Sequence, residues 1–216
     1  MITRRIFFGA LGTIPLARLE AGRRIRPDAG SRYLAGPCAS ATSKIDIAAA
    51  NEPGKRMIVK GQVFKPDGRT PSAGVIVYVY HTDETGEYRA DATGSPKLKG
   101  WMKTDKEGRY EYRTIRPGAY PSRNQAAHVH VQFWSADVPP QWNYDLLFDD
   151  DPLVGERDRR LSADVGRFAF VSKPQSREGV LHVSLDYKLE ARRGRFRRQH
   201  HARPESVPYD LASVRK

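Results

Sequence analysis

The stretch Ala127–Trp134, AHVHVQFW, alternates with a period of two. In an extended chain, side chains at i and i+2 share a face. Val129, Val131 and Phe133 therefore form one apolar face, and His128, His130, Gln132 and Trp134 form the other. A helix would scatter these residues around its axis, whereas a half-buried strand sorts them. The strand needs a core on one side and carries two neighbouring imidazoles on the other. Such a pair is either a solvated surface feature or two donors to one metal ion.

Short β-branched and aromatic runs recur along the chain: residues 56–64, 75–82, 100–105, 109–115, 127–134, 167–172 and 180–189. They are separated by turn-rich segments such as KPDGRTPSAG. Lys106-Glu107-Gly108, between the third and fourth runs, reads as a hairpin turn. The expected fold is all-β, an antiparallel-rich β-sandwich over residues 56–190 with long loops and flexible termini. Residues 31–55 read as a lead-in segment. Residues 135–166 are too long for a turn and read as a short helix or a covering loop.

The formal net charge of +12 is concentrated at the ends. Residues 1–30 carry +4 and residues 191–216 carry +6, which leaves +2 for the rest. The basic 191–216 segment lacks an aromatic stacking platform, so no specific nucleic-acid partner is expected. No apolar run reaches the roughly 20 residues a membrane-spanning helix needs. The single cysteine, Cys38, excludes an internal disulfide and a cysteine-based zinc cluster. Thr3-Arg4-Arg5-Ile6-Phe7-Phe8, before a short apolar stretch, reads as a twin-arginine export signal within a 1–30 leader. Periplasmic or exported localisation is the expectation, with a cytoplasmic protein carrying a basic leader as the alternative.

Two histidines suit zinc, copper, nickel and iron alike. Tyr88 and Tyr120 sit at turn-associated positions outside the alternating apolar faces, which frees two phenols to point at a shared site. A phenol loses its proton near pH 10, and an adjacent trivalent cation reverses that preference. Two tyrosines with two histidines make a chemically sensible ferric site. Tyr110 and Tyr112 alternate within a strand and read as core or surface aromatics. His81 and His182 read as structural, and His200 and His201 belong to the tail.

The run TDKEGRYEYRTIRPGAYP followed by AHVH, with GEY upstream, resembles the intradiol ring-cleavage dioxygenases, the group of protocatechuate 3,4-dioxygenase and catechol 1,2-dioxygenase. The resemblance implies a β-sandwich catalytic domain and a non-haem Fe(3+) ion held by Tyr88, Tyr120, His128 and His130. It implies cleavage of a catechol-type diol between its hydroxylated carbons with O2, giving a cis,cis-muconate-type diacid. The expected partners are thus a small aromatic diol and O2, and relatives assemble from several subunits. Tyr120 would be the ligand released when substrate binds. The family often carries an arginine three residues before the first histidine; here Gln125 stands there, with Arg123 two positions earlier. Gln125, Arg123 and Tyr120 are the candidate catalytic residues. Two other readings stay open: a zinc hydrolase or lyase using His81, His128 and His130, and a non-catalytic transthyretin-like binding module.

Overall fold

The computed structural model describes residues 40–191 except 93, 94, 122 and 137. The 1–30 leader, Cys38 and the tail from residue 192 lie outside the described residues. The strands are β1 (Lys44–Asp46), β2 (Arg56–Phe64), β3 (Ile76–Tyr80), β4 (Lys99–Lys103), β5 (Arg109–Ile115), β6 (His128–Trp134), β7 (Gln141–Trp142) and β8 (Leu146–Phe148). A helix, α1 (Glu156–Asp164), and a 3-10 turn (Gly166–Phe168) follow. β9 (Val171–Ser172), β10 (Gln175–Arg177), β11 (Val180–Ser184) and β12 (Tyr187–Lys188) complete the set.

They form two six-stranded sheets. One has the order β1-β5-β2-β11-β10, with β12 also on β2; the other runs β4-β3-β6-β8-β9, with β7 also on β6. Val59, Tyr110, Tyr112 and Val183 from the first sheet pack against Val75, Val77, Val79, Val129, Val131 and Phe133 of the second. The period-two pattern explains this core: one face of β3 and β6 is apolar and is buried against the opposite sheet. Phe133 is fully buried, so truncation to alanine would cost about 3–5 kcal/mol.

Four features correct or extend the sequence reading. First, the Lys106-Glu107-Gly108 turn does not close a hairpin. β4 pairs with β3 and β5 pairs with β2, so the turn passes the chain from one sheet to the other. Gly108 has φ +73°, and a Cβ there would meet the Val63 carbonyl oxygen at 2.7 Å. The glycine serves a close approach as well as a bend. Second, the sheets are mixed. β11 and β12 run parallel to β2, β1 runs parallel to β5, and β9 runs parallel to β8. Third, the lead-in segment supplies β1. Fourth, the expected 167–172 strand is a 3-10 turn followed by the two-residue β9, and the 135–166 segment holds β7, β8 and α1.

β6 is central in its sheet, flanked by β3 and β8. Its polar face opens with His128 and His130, opposite Leu147 and Tyr80 respectively. That placement fixes where the candidate site lies: outside the core, where the 83–89 and 116–127 loops converge.

Candidate metal centre

His128 and His130 lie side by side, both buried, with Nε2 atoms 3.1 Å apart. Each Nδ1 faces an acceptor. His128 Nδ1 donates to the Ala126 carbonyl at 2.7 Å, and His130 Nδ1 donates to Asp145 Oδ1 at 3.0 Å. The tautomers follow from these partners. With Nδ1 protonated in both neutral rings, each Nε2 presents a lone pair, and the two lone pairs face one another. The entry to β6 is held by Asp151, whose buried carboxylate accepts from the Ala127 N–H at 2.9 Å and the Leu153 N–H at 2.9 Å.

Tyr88 is delivered by a loop built around Asp83. One Asp83 oxygen accepts from the Thr85 N–H, the Thr85 hydroxyl and the Glu87 N–H; the other accepts from Arg89 Nε at 2.6 Å. Burial pushes this carboxyl up, but the Thr85, Arg89 and backbone hydrogen bonds outweigh it and hold the group at about 2. Tyr120 follows Pro117-Gly118-Ala119 on a second loop. The two loops touch backbone to backbone. The Gly118 N–H donates to the Asp83 carbonyl at 2.8 Å, and Thr82 Oγ1 donates to the Gly118 carbonyl at 3.0 Å. A Cβ on Gly86 would stand 1.8 Å from the Ala119 carbonyl oxygen, and one on Gly118 would stand 2.4 Å from that of Glu84. Only glycine fits at either contact.

The result is that Tyr88 Oη and Tyr120 Oη lie 2.8 Å apart. The Tyr120 ring is 5.0 Å from that of His128, and Tyr80 packs 4.5 Å from the His130 ring and 6.0 Å from that of Tyr88. Burial raises the phenol of Tyr88, with the Tyr120 phenol adding to the effect. Burial likewise raises that of Tyr120, opposed by its hydrogen bond to Tyr88. Neither ionises at neutral pH without a compensating cation.

These four side chains, separated by up to 42 residues in sequence, are brought together in the fold. Their donor chemistry fits a hard, highly charged cation. Two imidazole lone pairs repel at 3.1 Å unless a cation or proton shares them, and two phenols offer anionic oxygens once a cation favours ionisation. Gln125 lines a cleft of about 100 Å³ together with His128, Asp145, Leu147, Leu153 and Asp158. Arg123 is close enough to Tyr120 for its charge to favour the phenolate.

His81 does not join the centre. Its Nδ1 meets the Thr82 carbonyl at 2.7 Å and its Nε2 meets Thr114 Oγ1 at 2.8 Å, so both ring nitrogens are engaged. Burial drives its pKa down to about 4, against the Thr82 hydrogen bond. His182 lies on β11 in the opposite sheet. Tyr110 and Tyr112 are core residues, and Tyr110 Oη donates to the Leu185 carbonyl at 2.6 Å.

Sequence reasoning missed Asp145, Asp151, Asp83 and Tyr80. Tyr80 carried a signal, since it shares a face with Tyr78 opposite the valines of β3. Asp145 and Asp151 act through distant or irregular pairings that nothing in their local sequence marks, whereas Asp83 opens a turn closed by the Gly86 N–H, a local signal.

The family model described as dioxygenase matches residues 29–190. Catechol 1,2-dioxygenase 1 of Acinetobacter lwoffii is 33% identical over 146 residues, covering 58% of this chain and 46% of that protein. Catechol 1,2-dioxygenase 2 of the same organism is 28% identical over 160 residues, covering 73% and 49%. The solved dioxygenase domain of a dioxygenase–carbohydrate-binding protein fusion from Streptomyces sp. SirexAA-E superposes with a TM-score of 0.53 at 25% identity, covering 69% of this chain and 90% of that one. The chain spans about half the length of the curated relatives it matches. The family match over most of the chain, the shared sandwich and the paired tyrosines and histidines agree: the chain belongs to the intradiol ring-cleavage dioxygenase family.

Proposed function

We propose that this protein is a ferric dioxygenase that cleaves a catechol-type diol between its two hydroxylated carbons, using O2 and giving a muconate-type diacid. The observation that carries this is the convergence of two phenols and two imidazole lone pairs on one side of β6. Tyr88, Tyr120, His128 and His130 would hold the ion. When bound, Fe(3+) would act as a Lewis acid and template that opens the chelated diol to O2. Two phenolates favour the ferric state over the ferrous one.

The chain's own residues do the rest. Ala126 and Asp145 hold the two imidazoles in the tautomer that presents Nε2. Tyr120 serves as the internal base. Burial raises the pKa of its phenol, so its phenolate would take up a diol proton readily. Gln125 offers a neutral amide on the cleft wall, and Arg123 a cation beside Tyr120, where charge grows on the diol oxygens. The zinc reading loses its third histidine, because both nitrogens of His81 are engaged.

Colour tests the proposal. The iron-loaded protein should be reddish from phenolate-to-iron charge transfer, and a strong chelator should remove the colour. Adding a catechol without oxygen should shift the band, and admitting O2 should consume one equivalent and release the diacid. Tyr88→Phe and Tyr120→Phe should each shift or bleach the band, whereas Tyr112→Phe should not. A colourless iron-loaded protein, or a band indifferent to both tyrosine changes, would refute the ligand set.

A further inference from the structure

Tyr88 lies between two neighbours that are each tied down. On one side the Glu87 N–H donates to Asp83, and on the other Arg89 Nε donates to the same carboxylate. The Arg89 carbonyl in turn accepts the Lys97 N–H at 2.7 Å, and Ala90 bridges Pro96. The arm that carries Tyr88 therefore rests against a return arm, and that return arm has its own anchors. Leu98 packs in a buried cluster with Ala48 and Ile115, and the His81 N–H donates to the Leu98 carbonyl at 3.1 Å. The Lys97 ammonium reaches Glu52 at 2.6 Å, in the segment that precedes β2. The Glu52 side chain is 5% exposed, whereas that of Lys97 is 49% exposed. A carboxylate so deeply buried is costly unless a cation meets it. Glu52, His81, Asp83, Arg89, Lys97 and Leu98 line one pocket, and none of them is a proposed ligand of the ion. Tyr120 is held differently. Its carbonyl accepts the Arg123 N–H of its own loop at 3.3 Å, and Pro121 after it is exposed and has no N–H to donate.

Resting on the ferric reading above, we infer that Glu52 and Lys97 are positioning residues that brace the Tyr88 arm, so that Tyr88 stays on the ion while Tyr120 exchanges with substrate. The path is short and continuous: the Glu52 carboxylate holds the Lys97 side chain, the Lys97 backbone holds the Arg89 carbonyl, and Arg89 adjoins Tyr88. A ligand held by such a brace loses little conformational freedom when it meets the ion, which favours binding. Neither residue touches the ion, the diol or the two histidines in this reading. Their effect on the centre runs through Tyr88, and that is what separates a brace from a general contribution to stability.

A double-mutant cycle tests this. Glu52→Gln keeps the shape and removes the charge, and the half-exposed Lys97 ammonium can then turn to water. Lys97→Met removes the cation, and Lys97→Arg serves as the rescue variant. Circular dichroism checks folding, and competition against a chelator measures binding of Fe(3+) and redox-inert Ga(3+). Glu52→Gln and Lys97→Met should each lose about 3- to 30-fold in affinity for both ions, and Lys97→Arg should stay near the wild type. The loss should vanish when Glu52→Gln is made in Tyr88→Phe and persist in full in Tyr120→Phe. In Tyr120→Phe the remaining phenolate band reports Tyr88, and adding Glu52→Gln should shift it. Unchanged affinity in the folded variants, or a loss that persists in Tyr88→Phe, would overturn the inference. Should Lys97→Met, which strands a buried carboxylate, fail to fold, Glu52→Gln decides alone. Wild-type protein that binds neither Fe(3+) nor Ga(3+) would instead sink the ferric reading, a result visible before any variant is made.

Discussion

Replacing Gly118 by alanine tests how the two tyrosines are brought together. The added Cβ would lie 2.4 Å from the Glu84 carbonyl oxygen and 2.5 Å from the Gly86 nitrogen. Both obstacles are backbone atoms, so no side chain can rotate away. Reaching ordinary contact requires the loops to part by about 1 Å. Two hydrogen bonds span the gap, Gly118 N–H to Asp83 O and Thr82 Oγ1 to Gly118 O. Weakening both forfeits about 1 kcal/mol each, and the overpacking adds about 1–3 kcal/mol. The expected destabilisation is about 3–5 kcal/mol, read as a lower urea midpoint at unchanged slope. The 2.8 Å separation of Tyr88 Oη and Tyr120 Oη should widen with the loops, so ferric affinity should fall and the visible band should shift. Gly179→Ala is the control. Its φ is +81° but nothing lies within 4 Å of the added carbon, so it should cost only about 1–2 kcal/mol of backbone strain and leave the band untouched. A Gly118→Ala protein with wild-type stability and an unaltered band would refute the argument that backbone contact sets the tyrosine pair.

Acid should destabilise the fold in two stages. Burial lowers His81 from 6.5 to about 4, so the unfolded chain takes up a proton first and stability falls as pH drops from about 6.5 to 4. Asp83, held at about 2 against an ordinary 3.8, contributes stability that is complete above about pH 4 and lost as pH falls toward 2. That carboxylate is worth about 2 kcal/mol, and urea titrations of Asp83→Asn across pH should show its absence near neutrality and a flatter profile below pH 4. Tyr110→Phe should cost about 1–3 kcal/mol by orphaning the buried Leu185 carbonyl, with no change in any metal property; an iron phenotype there would contradict its place in the core.

Much of this molecule was legible along the chain. Short β-branched and aromatic runs marked β2, β3, β5 and β6, and alternation along β6 told which of its residues face the core, because a strand's pleat converts sequence parity into direction. The same parity put His128 and His130 on one face, and the turn positions of Tyr88 and Tyr120 marked them as outside the apolar layers. What parity cannot state is which strand lies beside which. The Lys106-Glu107-Gly108 turn has the composition of a hairpin, yet its flanking strands join different sheets, because the apolar face of each is buried only against the other layer. Asp145 meets His130 solely through the β6–β8 register, and Asp83 gathers its loop through hydrogen bonds to Thr85, Glu87 and Arg89 that no periodicity records. Local sequence thus determined the longer strands, the faces of β6 and the candidate donor atoms. Long-range pairing alone decided the sheet order, the partner behind His130 and the approach of two glycine-bearing loops, since those depend on free energies that exist only once distant segments are packed together.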